Sequence, residues 1–185
     1  MNKSKINTRQ MILCALFAAL ISVGTFLKIP GPVVPITMQF LFVNLAALVL
    51  GSRYGTISVA VYVALGLMGV PIFSGGGGIG YVLHPTFGYL IGFIIAAFIG
   101  GKIVENSKSA SFKTFFIAGI ATLLVLDVIG MTYQYFLSNF YLGTQIGVRA
   151  IVIGSFVLTA PGDIILCVVS AFIARRLRPL ALKRT

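Results

Sequence analysis

Three acidic residues, one histidine and two cysteines are the chain's whole supply of carboxylate, imidazole and thiol side chains. Two of the acids, Asp127 and Asp163, fall inside long apolar runs. A carboxylate there costs a few kcal/mol even on the mildest membrane-insertion scales, so its presence points to function. Asp163 follows Ala160-Pro161-Gly162, a break that frees backbone groups for hydrogen bonding. It is suited to accept N–H donors from a neutral ligand. Asp127 either supports that site or anchors helix packing.

Enzyme constellations do not form. His84 has no nucleophile to activate and no second His or Cys in reach, so it reads as a loop or interface histidine and not as a metal ligand. Cys14 and Cys167 lie in apolar runs without a CxxC spacing and read as small buried hydrophobes. Neither an HExxH zinc motif nor a Walker sequence is present. No metal, no cofactor and no ATP hydrolysis are expected of this chain, and its energy source is a partner or a gradient.

The most unusual stretch is a glycine-rich loop, with Gly75, Gly76, Gly77, Gly78 and Gly80 between two apolar runs. Each glycine gives up too much backbone entropy for a stable helix or strand. It lacks the Gly-Lys-Ser/Thr ending of a phosphate-binding loop. Either it connects elements outside the membrane, or it lies over a pocket, mobile without ligand and closing over it, where backbone groups approach a small molecule.

These residues need a lipid-embedded scaffold. The chain is 58% hydrophobic and 9% charged, with a mean hydropathy of +1.06. A soluble domain carries about a quarter charged residues, so the solvent for most of this surface is lipid. One all-α membrane domain over residues 1–185 is expected, with six transmembrane helices near 11–27, 36–50, 56–69, 86–103, 112–137 and 151–173, the last interrupted at 160–163. The first reads as a spanning helix and not as a cleavable signal. Prolines break the chain between residues 28 and 35, and Gly51–Gly55 makes a tight turn. Gln39 and Asn44 are polar groups that need partners in a dry setting. Ala15 and Ala19, four apart on the first span, give a small-residue face for packing against the protein's own helices or against a partner subunit.

The net charge of +11 would suggest nucleic acid in a soluble protein. Here no nucleic-acid partner is expected, because the basic residues flank spans. With six spans, all of them except Lys28 and Arg149 fall on one side. The positive-inside rule puts that side, with both termini, in the cytoplasm. The glycine loop, the proline segment and the 138–150 loop then share the outside and could roof one cavity. Arg149 at that mouth either steers an anionic substrate or is a solvated loop charge.

An ordered set of segments carries a resemblance: Pro35-Ile36-Thr37-Met38-Gln39, Gly51-Ser52-Arg53-Tyr54-Gly55, residues 62–71, Phe73-Ser74-Gly75-Gly76, residues 85–93 and Pro161-Gly162-Asp163. Together they resemble the BioY family, the biotin-specific substrate-binding (S) components of energy-coupling-factor (ECF) transporters, over nearly the whole chain. The resemblance implies a six-helix S-component fold and high-affinity capture of biotin from outside. It also implies association with a transmembrane coupling (T) component and two ABC-type ATPases, docked through Ala15 and Ala19. The ligand-binding candidates are Asp163, Gln39, Gly75, Gly76, Tyr89, Asp127 and His84.

Two positions depart from the family pattern. Leu166 stands where a lysine is usual, and His84 precedes Pro85-Thr86 where a glycine is usual. Biotin suits a carboxylate facing its neutral ureido group and apolar walls around its ring and chain. Alternatives are an S component for riboflavin or thiamine, against which the absence of Trp counts mildly, and a ligand-free structural membrane subunit.

Overall fold

A computed structural model of the chain describes residues 8–29, 36–107, 109 and 111–182. Lys3, Lys5, the prolines of the 30–35 segment, Lys183 and Arg184 lie outside the described residues. The architecture is helical: α1 is Thr8–Phe26, α2 Gln39–Leu67, α3 Phe87–Asn106, α4 Phe112–Phe136, α5 Val148–Val152 and α6 Ala160–Leu182. Among the described residues, five helical stretches are long and apolar enough to cross a membrane, the last of them joining α5 and α6. The chain is thus a multi-pass membrane protein. A two-stranded antiparallel ribbon flanks the proline segment, β1 (Lys28–Ile29) against β2 (Ile36–Thr37), with Lys28 opposite Thr37.

The second and third spans, expected on either side of a turn at Gly51–Gly55, are the two arms of α2, which breaks at Gly51. It is not straight. Gly51 has φ 82° and ψ −175°, outside helical geometry. Gly55 would lie about 13 Å beyond Ala46 on a straight helix rising about 1.5 Å per residue. Instead a Cβ added to Gly55 would come within 2.8 Å of the Ala46 carbonyl oxygen. The chain folds back at Gly51, and the two arms of α2 pack against each other where glycine and alanine allow close approach. Glu105 clasps the turn, accepting from the Ser52 N–H and the Ser52 hydroxyl, each at 2.7 Å.

The last expected span is differently divided. Val148–Val152 continues into a π-helical turn, Ile153–Val157, and a new helix starts at Ala160. Pro161-Gly162-Asp163 is therefore the first turn of α6 and not an interruption within a helix. A proline there removes only an N–H that has no helical partner anyway. α6 also runs beyond residue 173, through Pro179. Part of the expected 138–150 loop is helical, since α4 extends into a π-helical turn at Leu137–Tyr141.

Two apolar cores hold the helices together. One, with Phe17, Leu48, Phe115, Ala171 and Ala174, lies toward the Gly51 turn. Basic residues cluster at this end: Arg9 donates to the Leu180 carbonyl and Arg178 to the Leu48 carbonyl, each at 2.7 Å. The other core, with Ile21, Tyr62, Phe73, Phe87, Tyr89 and Phe93, surrounds the opposite end, where polar residues collect. Between them Asn44, fully buried, donates to the Ser170 hydroxyl at 2.8 Å and ties α2 to α6.

Candidate ligand-binding site

A cavity of about 80 Å³ lies at the end remote from the Gly51 turn. Its walls come from separate stretches of sequence. The π-helical turn, the short turn after it and the start of α6 contribute Ser155, Thr159 and Asp163 in that order, spaced four apart and hence on one side of the helical path. Asp163 is at the first turn of α6, its N–H bonded to the Thr159 carbonyl at 3.0 Å. α4 contributes Leu126 and Asp127, α3 contributes Tyr89, Leu90 and Phe93, and the start of α2 contributes Gln39 and Phe40.

Asp127 and Asp163, 36 positions apart in sequence, therefore face one cavity. Both are buried, as is Gln39. Among the described residues, Gln39 Nε2 and Asp127 Oδ2 have no hydrogen-bond partner at ordinary geometry. A buried polar atom left unpaired costs about 1–3 kcal/mol, so the cavity holds an unanswered donor and an unanswered acceptor. A ligand carrying both kinds of group would satisfy them. Phe40, Leu90, Phe93 and Leu126 give the wall its apolar part.

A polar layer backs this wall. Gln134 Oε1 accepts from the Tyr89 hydroxyl and from the Ser155 hydroxyl, each at 3.2 Å. One buried amide thus fixes groups from α3 and from the turn before α6. Ser155, Thr159, Ser74, Tyr81 and Thr86 were not singled out by sequence reasoning, yet all line the cavity. The four-residue spacing of Ser155, Thr159 and Asp163 is the signal that would have found two of them.

The glycine loop touches the cavity at one end and is tied to its neighbours. Phe73 and Gly76 form a reciprocal bridge at 2.8 and 3.1 Å, and the Gly78 N–H bonds the Gly66 carbonyl at 2.7 Å. Lys28 Nζ donates to the Ser74 carbonyl at 2.8 Å, joining β1 to the loop. Ser74 reaches the cavity, whereas Gly75 and Gly76 are not among its walls. Gly75 instead lies against Tyr81 and His84. His84 does not line the cavity either, but bonds Thr86, which does. Leu166 packs between the two apolar cores and is not a cavity wall. Ala15 and Ala19 are exposed on α1, away from the site. Arg149 is exposed on α5. Among the described residues, no three His, Cys, Asp or Glu side chains come together to hold a metal.

Known proteins of the same kind are recognisable by sequence and by shape. A sequence model of the BioY family matches residues 1–183. A probable biotin transporter BioY of Lysinibacillus sphaericus is 42% identical over 171 residues, covering 92% of this chain and 87% of that protein. The biotin transporter BioY of Thermotoga maritima is 42% identical over 177 residues, covering 95% of this chain and 99% of that protein. The crystal structure of an S-component for biotin from an ECF-type ABC transporter superposes with a TM-score of 0.80 at 31% identity, over 97% of this chain and 94% of that one. A match along essentially the whole sequence, with relatives of nearly equal extent, leads to one assignment: the chain belongs to the BioY family.

Proposed function

We propose that this chain is the biotin-binding S component of an ECF-type vitamin importer, capturing biotin from the extracellular side. The observation that carries this reading is the pairing of buried, unanswered polar atoms, Gln39 Nε2 and Asp127 Oδ2, in a cavity shared with Asp163. A ureido group offers two N–H donors and one carbonyl acceptor, the complement of two carboxylates and an amide N–H. Phe40, Leu90, Phe93 and Leu126 suit the fused ring and the aliphatic chain. The biotin transporters and the biotin S-component among its relatives support the same substrate.

In this reading the chain is a binding and transport subunit, not an enzyme, and works as one membrane domain. Six crossings are made by α1, the two arms of α2, α3, α4 and the α5–α6 stretch. The gathering of Arg9, Lys102 and Arg178 near the Gly51 turn supports a cytoplasmic location for that end and for both termini. The exposed Ala15 and Ala19 offer a flat face for the T component, which couples to two ABC ATPases. Asp163, Asp127, Gln39 and Tyr89 contact the ligand. Gly75, Gly76 and His84 shape the loop beside it.

The test is mass spectrometry of small molecules released from the detergent-purified protein on denaturation. Biotin in near-equal amount to protein is expected. Release of riboflavin, thiamine or another vitamin would replace biotin in this account.

A further inference from the structure

The one histidine of the chain lies just behind the cavity wall, and its contacts fix the direction of a hydrogen-bond chain. His84 Nδ1 is 3.3 Å from the Thr86 backbone nitrogen, in donating geometry, and 2.8 Å from Thr86 Oγ1. A backbone N–H can only donate, so Nδ1 is an acceptor and the ring proton is on Nε2. The Thr86 hydroxyl, facing that acceptor, gives its single proton to Nδ1. It is left to accept from the Tyr81 hydroxyl at 2.8 Å. Tyr81, its own proton used, accepts in turn from Ser74 Oγ at 3.1 Å.

The chain therefore runs one way, from Ser74 through Tyr81 and Thr86 to His84. Ser74, Tyr81 and Thr86 all line the cavity. Each has directed its proton along the chain, so toward a ligand they present lone pairs only. The imidazole is held for this role by stacking on the Tyr81 ring, with centroids 4.8 Å apart and planes 18° from parallel.

We infer that His84 is a positioning residue that sets the donor–acceptor polarity of the cavity wall, making Ser74, Tyr81 and Thr86 an acceptor surface for a ligand's N–H groups while it is neutral. The choice of a ureido ligand rests on the biotin reading above. Protonation places a donor on Nδ1. The Thr86 N–H then loses its acceptor, the Thr86 hydroxyl accepts from the ring, and its proton turns to Tyr81. Tyr81 passes the reversal to Ser74, whose proton turns into the cavity against the ligand's own donors.

The groups around the ring are few. Tyr81 is the titratable side chain packed on it, and Gly75, beside both rings, carries no charge. Lys28 reaches the Ser74 carbonyl from β1, Tyr133 reaches the Val82 carbonyl from α4, and the cavity's carboxylates are Asp127 on α4 and Asp163 on α6. Partial burial holds the imidazole below its ordinary pKa, which favours the neutral form.

Biotin titration of the detergent-purified protein at about pH 7.5 and about pH 4.5, the lower value set well below the ordinary histidine range because burial lowers this pKa, tests this with two variants. His84→Asn keeps an acceptor near the position of Nδ1 but does not titrate. His84→Ala has no acceptor. Unsubstituted protein should bind roughly tenfold more weakly at the lower pH, as loss of one or two hydrogen bonds predicts. His84→Ala should be weakened about as much at both pH values, and His84→Asn should restore binding and remove the difference. An equal acid loss in His84→Asn would assign it to Asp127, Asp163 or the ligand and overturn the inference. So would full binding by His84→Ala. Failure of the unsubstituted protein to bind biotin at either pH would sink the biotin reading instead. In that event ¹⁵N spectra of the single imidazole still decide the wall's polarity: a proton on Nε2 supports the inference, and one on Nδ1 at neutral pH refutes it.

Discussion

The ring of Tyr89 on α3 fills the position that a side chain on residue 130 of α4 would need. Gly130 leaves that space, and the Tyr89 hydroxyl then donates to Gln134 Oε1 at 3.2 Å, about one turn further along α4. The same amide oxygen accepts from Ser155 at 3.2 Å. A missing side chain on one helix thus positions an aromatic wall of the cavity and, through Gln134, the turn that leads to Asp163.

Gly130→Val should push Tyr89 out of this position. Overpacking of this kind costs about 1–3 kcal/mol, so the midpoint of thermal unfolding should fall. Biotin affinity should fall with it, by roughly tenfold or more if one ring contact and its hydrogen bond are lost. Tyr89→Phe, which keeps the ring and removes only the hydroxyl, should bind more tightly than Gly130→Val. Titration and thermal-shift measurements on both variants check the ordering.

Asp127→Asn and Asp163→Asn should each weaken biotin binding while preserving the fold. Each replaces an acceptor-only carboxylate by an amide that also donates. Charge-assisted hydrogen bonds contribute about 1.5–3 kcal/mol, equivalent to roughly tenfold to a hundredfold in affinity. Binding by either variant that matches the unsubstituted protein at several pH values would make that carboxylate a packing group.

Asp127, Asp163 and Gln39 were legible in the sequence because a charge or amide in an apolar run is conspicuous, and the three meet in one cavity. The hydroxyl residues were not legible. Ser155, Thr159 and Thr86 carry no charge and cost little in a membrane helix, so only their three-dimensional convergence distinguishes them. The division between α5 and α6 was legible only approximately, as an interruption at 160–163, just after the break at residues 158–159. Residues 148–181 form one apolar stretch by composition, and Pro161 fits the start of a helix as readily as a break within one. The glycine loop was legible only as two alternatives. Its composition speaks of backbone freedom, but the Phe73–Gly76 bridge and the Gly78–Gly66 bond tie it down, and only Ser74 reaches the cavity.

The fold-back of α2 gives a stability prediction independent of ligand. Gly51 has φ 82°, in the left-handed region, and a Cβ there would meet the Glu105 carboxylate that clasps Ser52. Gly51→Ala should destabilise the protein by about 1–3 kcal/mol from backbone strain. Glu105→Gln, which keeps the size and removes the charge, should be milder. Thermal unfolding in detergent distinguishes them, and equal midpoints for Gly51→Ala and the unsubstituted protein would argue against a required turn.

Ala15→Leu and Ala19→Leu should leave biotin binding by the isolated subunit within about twofold, since both side chains are exposed and remote from the cavity. With the coupling protein and ATPases present, uptake should fall, because bulkier side chains hold the helices apart. Reconstituted vesicles loaded with ATP and the partner subunits supply the comparison. Undiminished uptake by the double variant would place the docking face elsewhere.

Equilibrium dialysis of the purified protein against labelled biotin is the most direct test of the central claim. Saturable retention of one biotin per chain is expected, displaced by unlabelled biotin and weakened by roughly tenfold to a hundredfold in Asp163→Asn. No retention of biotin by correctly folded protein, or saturation by riboflavin or thiamine in its place, would contradict it.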